Sequence, residues 1–82
     1  MPDLQNLSIT TESDARGSFC PGPLMELIRL VRAGAVGDVL AVLSRDDGSK
    51  RDIPTWVAKA GHEFLGMEPF EDATRFIVRK AK

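Results

Sequence analysis

Apolar residues recur with two different spacings in the first half of the chain, and each spacing predicts a different element. Leu7 and Ile9 lie on one face and Thr10 and Glu12 on the other, so residues 7–14 predict a first strand that ends before Gly17. From Pro21 the apolar spacing becomes that of a helix, which we expect to end near Gly34. The apolar stripe of this helix consists of Leu24, Leu27, Ile28 and Val31.

Three later segments have the patterns of strands. Residues 38–44 include five successive apolar residues, as expected for a strand that is buried on both faces and central in its sheet. Residues 62–70 and 74–79 predict two further strands, joined by a turn at residues 71–72. Because this connection is short, the last two strands should form an antiparallel hairpin.

A second helix is predicted between the central strand and the hairpin. Ser49, followed three residues later by Asp52, resembles a capping box, and the helix should end at Gly61. Pro54 favours a start nearer Asp52, because proline is tolerated best in a first turn. The apolar positions of this helix are Ile53, Trp56, Val57 and Ala60.

These elements have the order β-α-β-α-β-β and predict an α/β (α+β) two-layer sandwich. Two amphipathic helices are most simply buried on one face of a mixed four-stranded sheet, which leaves the other face partly open. We expect residues 1–6 to form an N-terminal tail and residues 7–82 a single domain.

Composition and charge exclude several classes of function. With 43% hydrophobic residues and a formal charge of −1, the chain should fold, and no overall field favours nucleic acid as a partner. The N-terminus does not resemble a signal peptide and no apolar run is long enough to span a bilayer, so we expect a cytoplasmic protein without membrane contact. One cysteine and one histidine allow no intramolecular disulfide and favour no metal site.

The single cysteine, Cys20, is the candidate reactive group. It lies in a segment rich in glycine and proline, between a predicted strand and a predicted helix. Pro21 suits the first helical position, which would place Cys20 at or beside the N-cap. Free N–H groups and the helix dipole would then lower the pKa of the thiol from about 8.5 towards roughly 3.5–7.5. A carrier needs only such an exposed nucleophile, whereas a protease or a thioredoxin-like enzyme needs further groups.

Residues 14–23, with a Cys-Pro-x-Pro core ending at Pro23, resemble the signature of the TusA/SirA family of sulfur carrier proteins. Similar residues follow in order at positions 37–40, 46–47, 51–54, 56, 61–63 and 75–80. The resemblance implies a persulfide on Cys20, no cofactor, and action with partner proteins rather than as a stand-alone enzyme. It also implies a cysteine desulfurase or a rhodanese-like protein as donor and a DsrE-like or other protein as acceptor, with the carrier itself a monomer.

Other residues have weaker candidate roles. The resemblance brings the two helix N-termini together, so Arg51 would help hold anionic sulfur, while Asp52 is mainly structural. Arg16 either adds positive potential or is simply exposed. Leu24 and Met25 form an apolar rim beside Cys20 that a partner would cover. His62, the only histidine, is interpreted as structural, since no spacing pairs it with Cys20.

Two other functions and the pathway stay open at this point. A small RNA-binding or regulatory module is disfavoured by the charge and by the lack of an aromatic strand motif. A redox sensor would share the low thiol pKa but would react with peroxide instead of a sulfur donor. Gly22 resembles the branches associated with sulfur oxidation or of unassigned role more than the branch for tRNA thiolation, and cofactor biosynthesis is a further destination for the sulfur.

Overall fold

Two helices and four strands follow one another in the order that the sequence predicts. The computed structural model describes residues 9–18 and 21–82. The elements are β1 (Thr11–Asp14), α1 (Gly22–Ala33), β2 (Val39–Ser44), α2 (Ser49–Ala60), β3 (Glu63–Phe70) and β4 (Ala73–Arg79). The first strand begins later than predicted; Leu7 and the predicted tail lie outside the described residues.

The four strands form one mixed sheet in the order β1-β2-β4-β3. β1 runs parallel to β2, and β4 is antiparallel to both of its neighbours. Every residue of β2 is buried, and Leu40 and Val42 pair with Val78 and Phe76 of β4. The prediction of a central, doubly buried strand is therefore confirmed.

Both helices pack on the same face of this sheet, where they build the main core with side chains of β2 and β4. α1 buries a stripe that is rotated from the predicted one, because Leu30 is buried and Ile28 is only half-buried. Leu24 is also half-buried and packs against the core. The buried residues of the two helices in this core are Leu27, Leu30, Val31, Ile53 and Val57.

The helix α2 begins at Ser49, as the Ser49–Asp52 pattern suggests, but the predicted capping box and the alternative start nearer Asp52 are both wrong. Gly48 is the N-cap and no side chain caps the helix, so Ser49 does not form a capping box with Asp52. Ser49 is instead buried, with its Oγ 3.0 Å from the Oγ of Ser44. Pro54 lies inside the helix, where it has no N–H for the carbonyl of Lys50 and its ring crowds that carbonyl. Tertiary packing of the first turn therefore outweighs the local preference for a later start.

The other face of the sheet carries a smaller apolar cluster. Val39, Ala41, Leu65 and Ile77 are buried there, and Ile9 packs against them. This face is therefore less open than the sequence pattern suggests. None of the helices in residues 9–18 and 21–82 is long and apolar enough to cross a membrane.

The chain direction gives the sheet two distinct ends. β1 and β2 both run towards one end, from which α1 and α2 start, and the β3–β4 turn lies there too. We call this the loop end and define it by residues 14–18, 45–48 and 71–72. The opposite end, which we call the closed end, is defined by residues 34–38, 61–62 and 80–82.

Candidate functional site at the loop end

The candidate nucleophile Cys20 belongs to the connection between β1 and α1. Phe19 and Cys20 lie outside the described residues, so the predicted accessibility of the sulfur stays a prediction. The residues on either side, Ser18 and Pro21, are described; β1 ends at Asp14, before Ser18, and α1 begins at Gly22, directly after Pro21.

The start of α1 offers few N–H groups, because two of its first residues are prolines. Pro21 is the N-cap, with φ −92° and ψ 16°, rather than the first helical residue as predicted. Pro23 is buried in the first turn, and the N–H of Met25 donates to the carbonyl of Pro21 at 2.8 Å. The N–H groups of Gly22 and Leu24 are therefore the ones that this turn has to offer an anion. No side chain in the described part of the chain caps the helix.

The chain that leads to Cys20 is fixed by main-chain hydrogen bonds. Ala15 is buried, and its N–H donates to the carbonyl of Leu43 at 2.9 Å, which extends the pairing of β1 with β2. The N–H of Ser18 donates to the carbonyl of Ala15 at 3.0 Å and closes a turn. The N–H of Arg16 donates to Oδ1 of Asp14, also at 3.0 Å. Residues 14–18 therefore have a defined path up to the described limit.

The side chain of Arg16 joins this turn to the β3–β4 turn. Its guanidinium lies 2.8 Å from a carboxylate oxygen of Asp14, 2.7 Å from Glu71 and 3.4 Å from Asp72. Arg45, which follows β2, donates to Asp72 at 3.0 Å and to the carbonyl of Arg16 at 3.2 Å. We call these five residues the Arg16 network. It connects the three loops of the loop end through side chains.

The Arg16 network changes the acidity of its members. Hydrogen bonds from Arg16 hold the pKa of Asp14 at about 2, below its ordinary value of 3.8. Hydrogen bonds to Asp14 and Glu71 raise the pKa of Arg16 in turn. Because three carboxylates offset its charge, Arg16 is placed to hold the loop more than to add free positive potential.

A cleft of about 380 Å³ opens between the β1–α1 connection and the residues after β2. It is lined by Arg16, Gly17, Ser18, Arg45 and Asp46. Ser18 precedes Cys20 by two residues, so the cleft borders the connection that carries the thiol.

The other predicted site residues are not all brought to this cleft. Arg51 is in the first turn of α2, but its side chain is 85% exposed and its Nε lies 3.4 Å from Oδ1 of Asp52. Met25 is 59% exposed beside the start of α1, whereas Leu24 is partly used by the core. Of the predicted apolar rim, Met25 is thus the more accessible member.

His62 lies at the closed end. Its Nδ1 accepts a hydrogen bond from the N–H of Ala81 at 3.0 Å. Burial, followed by the charges of Lys80 and Lys82, lowers the pKa of this imidazole. A neutral ring that accepts a main-chain hydrogen bond agrees with the structural role expected for it.

Sequence reasoning missed Arg45, Glu71 and Asp72 as organisers of the site. Their position directly after β2 and in the hairpin turn was the available signal, because these segments meet at one end of the predicted sheet. Within residues 9–18 and 21–82, no group of three or more His, Cys, Asp or Glu side chains has the arrangement of a metal site.

Comparison with known proteins agrees with this architecture and extends it to a family. The family model described as sulfurtransferase TusA matches residues 11–80, which is most of the chain. The chain belongs to the TusA family of sulfur carrier proteins. This confirms the resemblance that the sequence motifs indicate.

Curated relatives have the same role in their names. A protein of Archaeoglobus fulgidus, provisionally named a sulfur carrier protein, is 54% identical over 84% of this chain and 94% of its own length. The sulfur carrier protein TusA of Pseudomonas syringae pv. syringae is 36% identical over 94% of this chain and 92% of its own length.

A solved structure supports the fold. The SirA-like protein of Desulfitobacterium hafniense superimposes with a TM-score of 0.74, covering 88% of this TusA-family chain and 99% of its own, at 20% identity. Together with the family match, the relatives identify the role of the chain as a sulfur carrier that acts with partner proteins.

Proposed function

We propose that this protein holds sulfane sulfur as a persulfide on Cys20 and transfers it from a donor protein to an acceptor protein. The observation that carries the proposal is the start of α1, directly after Cys20 in the sequence. There the N–H groups of Gly22 and Leu24 and the positive end of the helix dipole favour anionic sulfur. Pro21 and Pro23 fix this helix start because the proline ring restricts φ.

The transfer is an exchange between persulfides and needs no oxidant. The Cys20 thiolate attacks the outer sulfur of the donor's persulfide, a new S–S bond forms on Cys20, and the donor's own S–S bond breaks. The donor cysteine leaves with the electron pair as a thiolate. A cysteine of the acceptor then attacks the outer sulfur on Cys20 in the same way and releases the Cys20 thiolate. Because the chain has no second cysteine, no internal disulfide can expel the sulfur as sulfide.

The loop end supplies the surroundings for this exchange. The Arg16 network holds the connection before Cys20, and Met25 offers an exposed apolar contact for a docking partner. Leu24 contributes to that contact with the part of its side chain that the core leaves accessible. Arg51 is exposed and accessible to a partner's acidic groups, while Asp52 stabilises the first turn of α2.

The partner classes follow from the family resemblance. A cysteine desulfurase or a rhodanese-like protein is the proposed donor, and a DsrE-like protein is the proposed acceptor. The destination of the sulfur is tRNA thiolation, cofactor biosynthesis or sulfur oxidation, and the functions of the neighbouring genes would distinguish these pathways. The monomeric state and the cytoplasmic location remain predictions from the sequence.

Loading of Cys20 tests the proposal directly. Incubation with a persulfide-loaded rhodanese should add the mass of one sulfur atom, which dithiothreitol removes, as measured by intact-protein mass spectrometry. Cys20→Ser should keep the same circular dichroism spectrum and show no loading, since a hydroxyl forms no persulfide. Wild-type protein alkylated on Cys20 is the matched control and should also stay unloaded. Loading of the serine variant, or no loading of the wild type from rhodanese or desulfurase, would refute the proposal.

A further inference from the structure

Gly22, between the two prolines that follow Cys20, is in unusually close contact with Ser18. A Cβ atom placed on Gly22 would lie 2.7 Å from the Cβ of Ser18 and 3.4 Å from its Oγ. A separation of 2.7 Å between two such carbons essentially never occurs in proteins, so any side chain at position 22 would displace one of the two residues. The two residues on either side of the Phe19–Pro21 segment thus touch each other.

Both partners of this contact are tied to the rest of the fold. The N–H of Ser18 is bonded to Ala15, which is buried and bonded to β2 through Leu43. Gly22 is the first residue of α1, and the next residue, Pro23, is buried in the core side of that helix. A side chain at position 22 would therefore push the turn that ends at Ser18 away from the helix start, or the helix start away from the core.

Backbone conformation does not explain the glycine. Gly22 is helical, whereas the glycines with positive φ are Gly37, Gly61 and Gly66. In a helical position alanine is intrinsically better than glycine. Local helix propensity therefore favours an alanine at position 22, and the contact with Ser18 opposes it.

We propose that Gly22 is a positioning residue for sulfur transfer: its lack of a side chain lets Ser18 lie against the start of α1. The close approach that this allows sets both ends of the segment that carries Cys20 beside the N–H groups of Gly22 and Leu24, and a side chain at position 22 that strikes Ser18 would disturb it. The inference rests on the proposed role of Cys20 as the sulfur-carrying residue. Gly22 occupies the variable position of the Cys-Pro-x-Pro motif. The inference gives this position a steric role, and the residue that requires it is Ser18.

The chain offers a matched control and a rescue variant. A Cβ on Gly17 would have no atom within 4 Å, so Gly17→Ala adds the same methyl group on the same connection without a clash. Ser18→Gly removes the atom that Gly22→Ala would strike. The double variant Ser18→Gly/Gly22→Ala therefore restores the space while keeping the alanine.

The readout is the rate of Cys20 alkylation by iodoacetamide as a function of pH. Gly22→Ala should move the pH profile upward and slow alkylation at neutral pH by about tenfold, since each unit by which the thiol pKa rises above the working pH leaves about tenfold less of the reactive thiolate. Gly17→Ala and Ser18→Gly should react like the wild type. The double variant should recover the wild-type profile. This recovery can be measured even if Gly22→Ala alone fails to fold.

Each remaining outcome counts against the inference. A wild-type profile for Gly22→Ala, an equal defect in Ser18→Gly or Gly17→Ala, or a double variant that is not rescued would overturn it. Loading by persulfidated rhodanese is measured in parallel. If the alkylation pattern is as expected but the wild type never loads, the positioning role stands and the proposed sulfur transfer fails, so the two are distinguishable.

Discussion

The two ends of the sheet are held together by different kinds of interaction. At the loop end, three separate loops are joined by the Arg16 network, whose groups are largely exposed. At the closed end, main-chain bonds join Lys80 to Asp38 and to Gly37, and the Lys80 ammonium donates to the carbonyl of Gly34 at 2.9 Å. His62 accepts the N–H of Ala81 at the same end.

This difference suggests that the closed end contributes more to stability and the loop end more to reactivity. Exposed ion pairs contribute little free energy of folding and are screened by salt, but they do fix the path of a loop. The N–H groups of Ala15, Arg16 and Ser18 at the loop end are bonded, so the ones left for an anion are those of Gly22 and Leu24 in the first turn of α1. We therefore expect substitutions at the closed end to change stability, and substitutions at the loop end to change chemistry.

The largest effect on stability should come from Lys80→Met. Lys80 is partly buried, and its ammonium satisfies a carbonyl at the C-terminal end of α1, where the helix dipole also favours a cation. Methionine keeps most of the volume but removes the charge, which should lower the free energy of unfolding by about 1–2 kcal/mol. Urea denaturation followed by circular dichroism measures this change.

Lys59→Met is the matched control for that loss. Lys59 lies in the last turn of α2 but is exposed, so its removal should cost clearly less than that of Lys80. Cys20 alkylation should be unchanged in both variants. An equal loss in the two variants, or slower alkylation in Lys80→Met, would contradict the division between the two ends.

Most of the fold was predictable because its signals are local and repeated. The apolar spacings identified all six elements, and the five apolar residues of β2 identified the central strand. The errors occurred where packing between distant residues decides how a helix starts or which of its faces is buried. Ser49 had the spacing of a cap but is buried against Ser44, and the stripe of α1 is rotated so that Leu30 replaces Ile28 in the core.

The candidate site was predictable only in part. Cys20 and its two prolines are recognisable from adjacent residues, and so is the helix that follows them. Arg16 was noticed only as a nearby charge, since its partner Glu71 is 55 residues away in the sequence. The contact of Ser18 with Gly22 depends on the exact path of a turn, which no residue pattern specifies.

A second test concerns the titration of His62 at the closed end and its effect on the free energy of unfolding. Because burial and two lysines lower the pKa of His62 below its ordinary value of 6.5, the unfolded chain binds a proton there before the folded one does. The contribution of His62 to stability is therefore complete above about pH 6.5 and is lost as the pH falls through its folded pKa. Protonation at Nδ1 also breaks the hydrogen bond from Ala81. We expect a decrease in the free energy of unfolding smaller than that in Lys80→Met.

His62→Gln identifies the source of this pH dependence. The variant should be less stable at pH 7.5 and should lose the part of the pH dependence that begins near pH 6.5, while the decline at lower pH from carboxylates such as Asp14 remains. Urea denaturation at a series of pH values measures both. The assignment to His62 fails if the decline near pH 6.5 is the same in the variant and the wild type.

The smallest effect on stability should come from Arg16→Gln, although this substitution removes more ion pairs than Lys80→Met does. The carboxylates that pair with Arg16 are more than half exposed and Arg16 itself keeps 27% of its side chain in solvent, so little free energy of folding is expected to change. The local effect should be clear: without Arg16, the pKa of Asp14 should rise from about 2 towards 3.8, which carboxyl NMR titration measures.

Arg29→Gln, which removes a comparable exposed pair with Glu26 on α1, is the control and should leave the pKa of Asp14 unchanged. A loss of stability in Arg16→Gln as large as that in Lys80→Met would show that the loop end stabilises the fold as strongly as the closed end.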